Sequence, residues 1–300
     1  MEPDEELFDT HILQYTNPGH SGEADIVIGL DFGTSASKVV IQVHGLPGNP
    51  AYAVDFGTFA HSSMPYLLPT RLWVNEGGKC NLAETDSASL ISDIKINLLS
   101  EGEDLISKSG TASENVSDES AAVAYIALLL RFARSWFLET RHELIGHLSR
   151  LNWGVNLGVP SRSIEENDEN ERFRRVGKAA WILSVTDNEI SLGKAEEVLQ
   201  QIADAPDCFD HDPHGLACDF AIIPEIAAGA IGYAFSDLRR EGLHLMVDVG
   251  ASTMDVCSFI LHNPEGTDRY ELLTADVKRL GTIRLHHERI RAISEAHSNH

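Results

Sequence analysis

Two stretches of this chain repeat one local plan: an apolar strand, an acid at its end, a tight turn of small residues and a second strand. The first is GLDFGTSASKVV, residues 29–40, and the second is VDVGASTMDVCSF, residues 247–259. An apolar run that stops at Asp-x-Gly and resumes as another strand reads as a hairpin. A tip of Gly, Ala, Ser and Thr has little bulk, so its backbone N–H groups can approach a phosphate closely. Thr and Ser hydroxyls add donors. Asp31 and Asp248 close the first strand of each pair and would repel a phosphate set directly against them. They make sense where Mg²⁺ and its waters lie between, since Mg²⁺ takes one or two carboxylates and keeps several waters. Two such hairpins facing each other would clamp a triphosphate from both sides. The sequence has no G-x-x-x-x-G-K-[ST] and no G-x-G-x-x-G, which excludes a P-loop and a dinucleotide fingerprint.

Charge narrows the class of partner. The 300 residues carry 46 acids against 23 basic residues, a net charge of −23. Such a chain repels phosphate backbones, so nucleic acid is not an expected partner. A nucleotide can still be held locally by backbone N–H groups and a metal. Cys80, Cys208, Cys218 and Cys257 form no C-x-x-C and no dense framework, which points to a reducing compartment. No uninterrupted apolar run reaches membrane-spanning length, and residues 1–24 lack the plan of a secretory signal. The expected location is the cytoplasm, with no membrane partner. Residues 1–24 read as a flexible acidic leader.

Between the hairpins the chain alternates strand and helix patterns. AYAVDFG and LPTRLWVNEGG read as strands. SASLISDIKINLLS has Leu90, Ile91, Ile94, Leu98 and Leu99 at helical spacing. Residues 117–150 read as one long core helix, with Ser117 as N-cap and Asp118 and Glu119 in its first turn. NWGVNLGVPS reads as a strand running into a Pro turn, and the acidic EENDENERF starts a helix that continues through RRVGKAAWIL. The stretch from there to about residue 218 is less regular. CDFAIIPE reads as a strand feeding the helix IAAGAIGYAFSDLRR. After the second hairpin come a strand, YELLTADVKRLG, and a helix, TIRLHHERIRAISEA.

Five of these stretches resemble a known family. IGLDFGTSASKV and MVDVGASTMDV are similar to the phosphate-1 and phosphate-2 motifs of the actin, sugar-kinase and heat-shock ATPase superfamily. SDIKINLL, VNLGVPSRS and IIPEIAAGAIGYA narrow the resemblance to the DnaK-type chaperones, the seventy-kilodalton heat-shock proteins. All five stand in the family's order, from about Asp25 to Leu280. The resemblance implies an α/β fold of actin-like, ribonuclease-H-like ATPase lobes. Residues 25–220 would form the first lobe with an inserted helical subdomain. Residues 221–300 would form the lobe connection and the start of a second lobe that stops short.

The resemblance also implies roles. Asp31 and Asp248 would hold Mg²⁺ through its waters. Gly33, Thr34 and Ser35 would meet the β- and γ-phosphates of ATP or ADP. Gly250, Ala251, Ser252 and Thr253 would form the second phosphate turn. Lys95 would stabilise charge near the γ-phosphate, as a cation does in phosphoryl transfer. Glu225 would join the water and metal network and couple the lobes, and Asp255 would assist in activating water. The implied function is Mg·ATP binding with slow hydrolysis that drives lobe closure, with protein clients or a cochaperone as partners. Two other readings fit the same phosphate motifs: a non-hydrolysing nucleotide-sensing or filament-forming actin-like protein, and a metabolite kinase.

The chain departs from the family where Gly-Ala-Ser-Thr replaces a run of three glycines before the Thr. The Cβ atoms of Ala251 and Ser252 restrict positive φ and close backbone approach, so slow turnover is expected. A separate cluster, Cys208, His211, His214 and Cys218, offers zinc-type ligands. Its spacing matches no common structural site, and Asp-Pro-His-Gly is ordinary turn chemistry, so it reads as a polar surface loop.

Overall fold

The structure is a computed structural model, and it describes residues 19–61, 63–99, 117–161, 168–186, 189–204, 218–263 and 269–298. The class is mixed α/β. The chain divides into two compact units: Met1–Leu157 with Asn167–Ile222, and Gly158–Glu166 with Ile223–His300.

The first unit begins with β1 (Glu23–Asp31) and β2 (Ala36–His44), which pair antiparallel with Asp31 opposite Lys38 at the tip. Both strands alternate, burying Ala24, Ile26, Ile28 and Leu30 from β1 and Ser37, Val39, Ile41 and Val43 from β2. β3 (Ala51–Ala53) and β4 (Leu68–Pro69) each pair antiparallel with β2. β5 (Leu72–Val74) sits between β6 (Cys80–Asn81) and β7 (Ser89–Ile91) in a separate three-stranded sheet.

The helix expected over residues 87–100 is shorter than its spacing suggests. Leu90 and Ile91 are strand residues of β7, paired with Trp73 and Leu72. Asp93 takes a left-handed φ of 57°, which stops the strand. Only α1 (Ile94–Leu99) is helical.

α2 (Asp118–Thr140) is the central core helix of this unit. Ser117 caps it as expected, its hydroxyl accepting from the Ser120 N–H at 3.0 Å. The long helix ends ten residues earlier than the pattern suggests; Arg141 leaves helical geometry, and a short α3 (His142–Ile145) follows. By length and composition α2 could cross a membrane, yet 89% of its most apolar window is buried inside the protein. Two arginines interrupt that apolar run. Arg131 donates to the Leu183 and Ser184 carbonyls at 3.2 and 3.4 Å, and Arg134 to the Ser184 carbonyl at 3.3 Å. The Arg134 guanidinium also lies 5.0 Å from the Trp181 ring centre. Burial and the adjacent Arg131 charge push Arg134 below the ordinary guanidinium value.

β8 (Arg150–Val159) joins the sheet on the free side of β1. The Ser149 N–H donates to Gly22 O, the Asn152 amide to the Asp25 carboxylate, and Gly154 sits against Val27. Partners that advance together along both strands make β8 parallel to β1. α4 (Asp168–Thr186) and α5 (Leu192–Asp204) pack with α2, and β9 (Asp219–Pro224) extends the sheet to the order β3-β2-β1-β8-β9. α5 falls within the stretch read as irregular. Its signal was there: Ala195, Val198, Leu199 and Ile202 are its buried face, at helical spacing.

The second unit holds α6 (Glu225–Ala234), β10 (Gly242–Val249), β11 (Met254–His262), β12 (Arg269–Lys278) and α7 (Thr282–Ser298). α6 stops at Ala234, short of the expected Arg240. The three strands form an antiparallel sheet in sequence order. Ile226 and Ala230 of α6 meet Cys257, Phe259 and Leu261 of β11 in its core. On the opposite face Leu243, Leu245, Val247 and Val249 of β10 are exposed.

Candidate functional site

In the first unit, Asp31, Gly33, Thr34 and Ser35 stand together at the β1–β2 tip. Gly33 is required for close packing rather than for unusual φ: a Cβ there would lie 2.1 Å from the Ala36 carbonyl oxygen. Phe32 turns inward, fully buried, with its ring 5.9 Å from that of Tyr125 on α2. The tip is held from below by one residue of the segment after β4. Thr70 donates its N–H to Ser35 O at 3.1 Å and its hydroxyl to Gly33 O at 2.7 Å. Ser37 and Thr70 hydroxyls are 3.2 Å apart, and the Tyr125 hydroxyl donates to Pro69 O at 3.4 Å. Burial pushes the Tyr125 phenol up to about 12, partly offset by hydrogen bonds with Ser37 and Thr70. Reading along the sequence missed Thr70, because its partners lie 35 and 37 positions away and no spacing rule links them.

Asp31 is half-exposed and forms an ion pair with Lys38, Nζ to Oδ2 at 3.1 Å. It is a hard oxygen donor in reach of solvent, the type Mg²⁺ takes. Lys95 is not a solvated surface lysine: it is 3% exposed, in the first turn of α1, which packs on α2. Glu225 opens α6, partly buried, where a carboxylate complements the helix dipole.

In the second unit, the β10–β11 turn holds Gly250, Ala251, Ser252 and Thr253, closed by Gly250 N–H to Thr253 O at 2.9 Å. The start of α7 takes its carbonyls. Thr282, Ile283 and Gly281 donate their N–H groups to Gly250, Ala251 and Ser252 at 3.1, 2.9 and 3.0 Å. In a trans peptide the C=O of one residue and the N–H of the next point in opposite directions. The N–H groups of Ala251, Ser252 and Thr253 are therefore aimed away from α7, three in a row, as in an anion-binding nest. Neither Ala251 nor Ser252 has positive φ, so their Cβ atoms cause no backbone strain in this turn.

Asp248 and Asp255 are directly opposite each other across β10 and β11, on one face. Asp248 is exposed, while Asp255 is 4% exposed. Like charges directly opposite in a sheet oppose folding, and a cation between them removes that cost. Among the described residues no three His, Cys, Asp or Glu side chains gather as a ligand set. Cys208, His211 and His214 lie outside the described residues, as does the acidic leader up to residue 18; Cys218 is buried just before β9. Burial pushes its thiol up, away from the thiolate that a metal would need.

No protein-family model matches the chain, and no curated protein matches it.

Proposed function

We propose that this chain binds Mg²⁺·ATP on its two small-residue turns and acts as a heat-shock-chaperone-like ATPase, with slow hydrolysis driving lobe closure. The observation that carries the reading is the second turn: three successive amides aimed to one side, with the paired carboxylates Asp248 and Asp255 at its base. Amides suit phosphate oxygens and the carboxylates suit the metal, a division of labour that a plain structural hairpin has no use for. The first tip repeats the plan with Asp31, Gly33, Thr34 and Ser35. The mixed sheet, with an antiparallel hairpin and β8 parallel to β1, supports an actin-like lobe. In this reading Lys95, Glu225 and Asp255 serve the hydrolytic step, with ATP and ADP as ligands. Protein clients or a cochaperone would be its partners, and the reduced Cys80, Cys218 and Cys257 suit a cytoplasmic location.

Calorimetric titration with ATP and Mg²⁺, repeated with Asp31→Ala, tests the site. Binding that weakens at least tenfold in the variant is the expected result; no binding by the folded wild-type chain rejects the reading. One observation favours a second reading. Ala251 and Ser252 carry Cβ atoms in the turn where glycines would let phosphate come closest to the backbone, which suits a protein that senses nucleotide or forms filaments and hydrolyses little. ATP-dependent light scattering without phosphate release identifies that case.

A further inference from the structure

We infer that Thr70 is a positioning residue that aims the first turn's amides at phosphate. The inference rests on the proposal that the Gly33–Ser35 tip receives phosphate. Thr70 uses both of its donors on the tip: its hydroxyl on Gly33 O and its N–H on Ser35 O. The described chain has no cis peptide, so each carbonyl turned toward Thr70 turns the following N–H away from it. Those are the N–H groups of Thr34 and Ala36. Thr70 thus sets the direction of two donors without touching the ligand.

The hydroxyls beneath it fix that arrangement. A hydroxyl has one proton to give. Thr70 gives its proton to Gly33 O, so across the 3.2 Å contact Ser37 is the donor and Thr70 the acceptor. Ser37 and Thr70 are 0% and 2% exposed, so solvent does not substitute for either bond. Tyr125, fully buried on α2, donates its own proton to Pro69 O at 3.4 Å, the carbonyl next to Thr70 in the chain. The orientation of the tip is in this way tied to the core helix. The second turn reaches the same result by another route, with the backbone of Gly281–Ile283 in place of a side chain.

The test pairs Thr70→Val with Thr70→Ser. Valine keeps the backbone N–H and the volume and removes the hydroxyl's bonds to Gly33 O and from Ser37; serine keeps both. Titration with Mg·ATP and with Mg·tripolyphosphate should show about tenfold weaker binding of both ligands in Thr70→Val, the scale of one buried hydrogen bond. Thr70→Ser should bind within about twofold of wild type, since its hydroxyl keeps the bond. The amide NMR shifts of Thr34 and Ala36 in the ligand-free protein should move in Thr70→Val and not in Thr70→Ser. Equal Mg·ATP affinity in wild type and Thr70→Val overturns the inference. Should the wild type bind neither ligand, the reading of the site fails, and the amide shifts alone then judge Thr70: unchanged shifts in the valine variant overturn its role. Should Thr70→Val not fold, Ser37→Ala, which removes the donor to Thr70, replaces it with the same expected direction.

Discussion

Asp248 faces Asp255 across the β10–β11 ladder, two carboxylates at opposed positions on one side of a sheet. The ligand-free sheet holds them against their repulsion, which costs on the order of 0.2–1 kcal/mol for an opposed like-charge pair. Asp248→Asn should therefore raise the urea midpoint without added metal. It should also remove the gain that millimolar MgCl₂ gives the wild type. A variant that is less stable, or one that still responds to Mg²⁺, would show that the two acids do not form a cation site.

Lys38 and a metal compete for the same carboxylate. The Lys38–Asp31 pair is exposed on both sides, and such pairs contribute about 0–1 kcal/mol. Lys38→Met should lower the Mg²⁺ concentration needed for half-maximal ATP binding by up to about fivefold. A higher Mg²⁺ requirement in that variant would make Lys38 a phosphate contact instead.

Gly281 leaves no room for a side chain. A Cβ there would lie 2.2 Å from the Ala251 carbonyl oxygen and 2.4 Å from the Ser252 nitrogen. Both are backbone atoms that cannot swing aside, so Gly281→Ala should cost about 1–3 kcal/mol. It should also speed amide exchange at Thr282 and Ile283, whose N–H groups hold the turn. Gly193→Ala in α5 is the control. Nothing lies within 4 Å of its Cβ position, so it should be neutral or stabilising by up to about 1 kcal/mol.

Alkali should weaken the first unit. Burial raises Cys80 from 9.0 to about 12 and Tyr125 from 10.0 to about 12, and it pushes the Cys218 thiol up as well. The folded chain keeps these protons while the unfolded chain releases them. Their contribution is complete below about pH 9 and is lost as pH rises toward 12. Arg134 acts in the opposite sense: its guanidinium is lowered by burial and by Arg131, so its cost eases at high pH. Three groups outweigh one, and the urea midpoint should fall between about pH 8 and about pH 10.5. Cys80→Ala should make the fall shallower by up to about 1.4 kcal/mol per pH unit. A flat wild-type profile would mean that these groups titrate in the folded chain as they do in water.

The parts of the fold written in local pattern were legible in the sequence. Alternation placed β1, β2 and β11, and Ser117 with its two following acids placed the start of α2. Leu90 and Ile91 misled because two apolar neighbours suit a strand edge as well as a helix face; pairing with β5 decided it. The ladder register that sets Asp248 against Asp255 follows from a turn length countable along the chain. The burial of Lys95 and the grip of Thr70 on the tip depend on which segments meet in space, and composition does not carry that.

The two arginines of α2 have a consequence for synthesis on the ribosome. Arg131 finds Ser184 O 53 residues further along the chain, and Arg134 finds the same carbonyl 50 residues further. At about 5–20 residues per second, those acceptors emerge roughly 3–10 s after the helix that needs them. In that interval a long, largely apolar helix has been made, and these partners for its charges have not. Codon choice between Ser135 and Ser184 therefore sets how long α2 waits, while leaving every native contact unchanged.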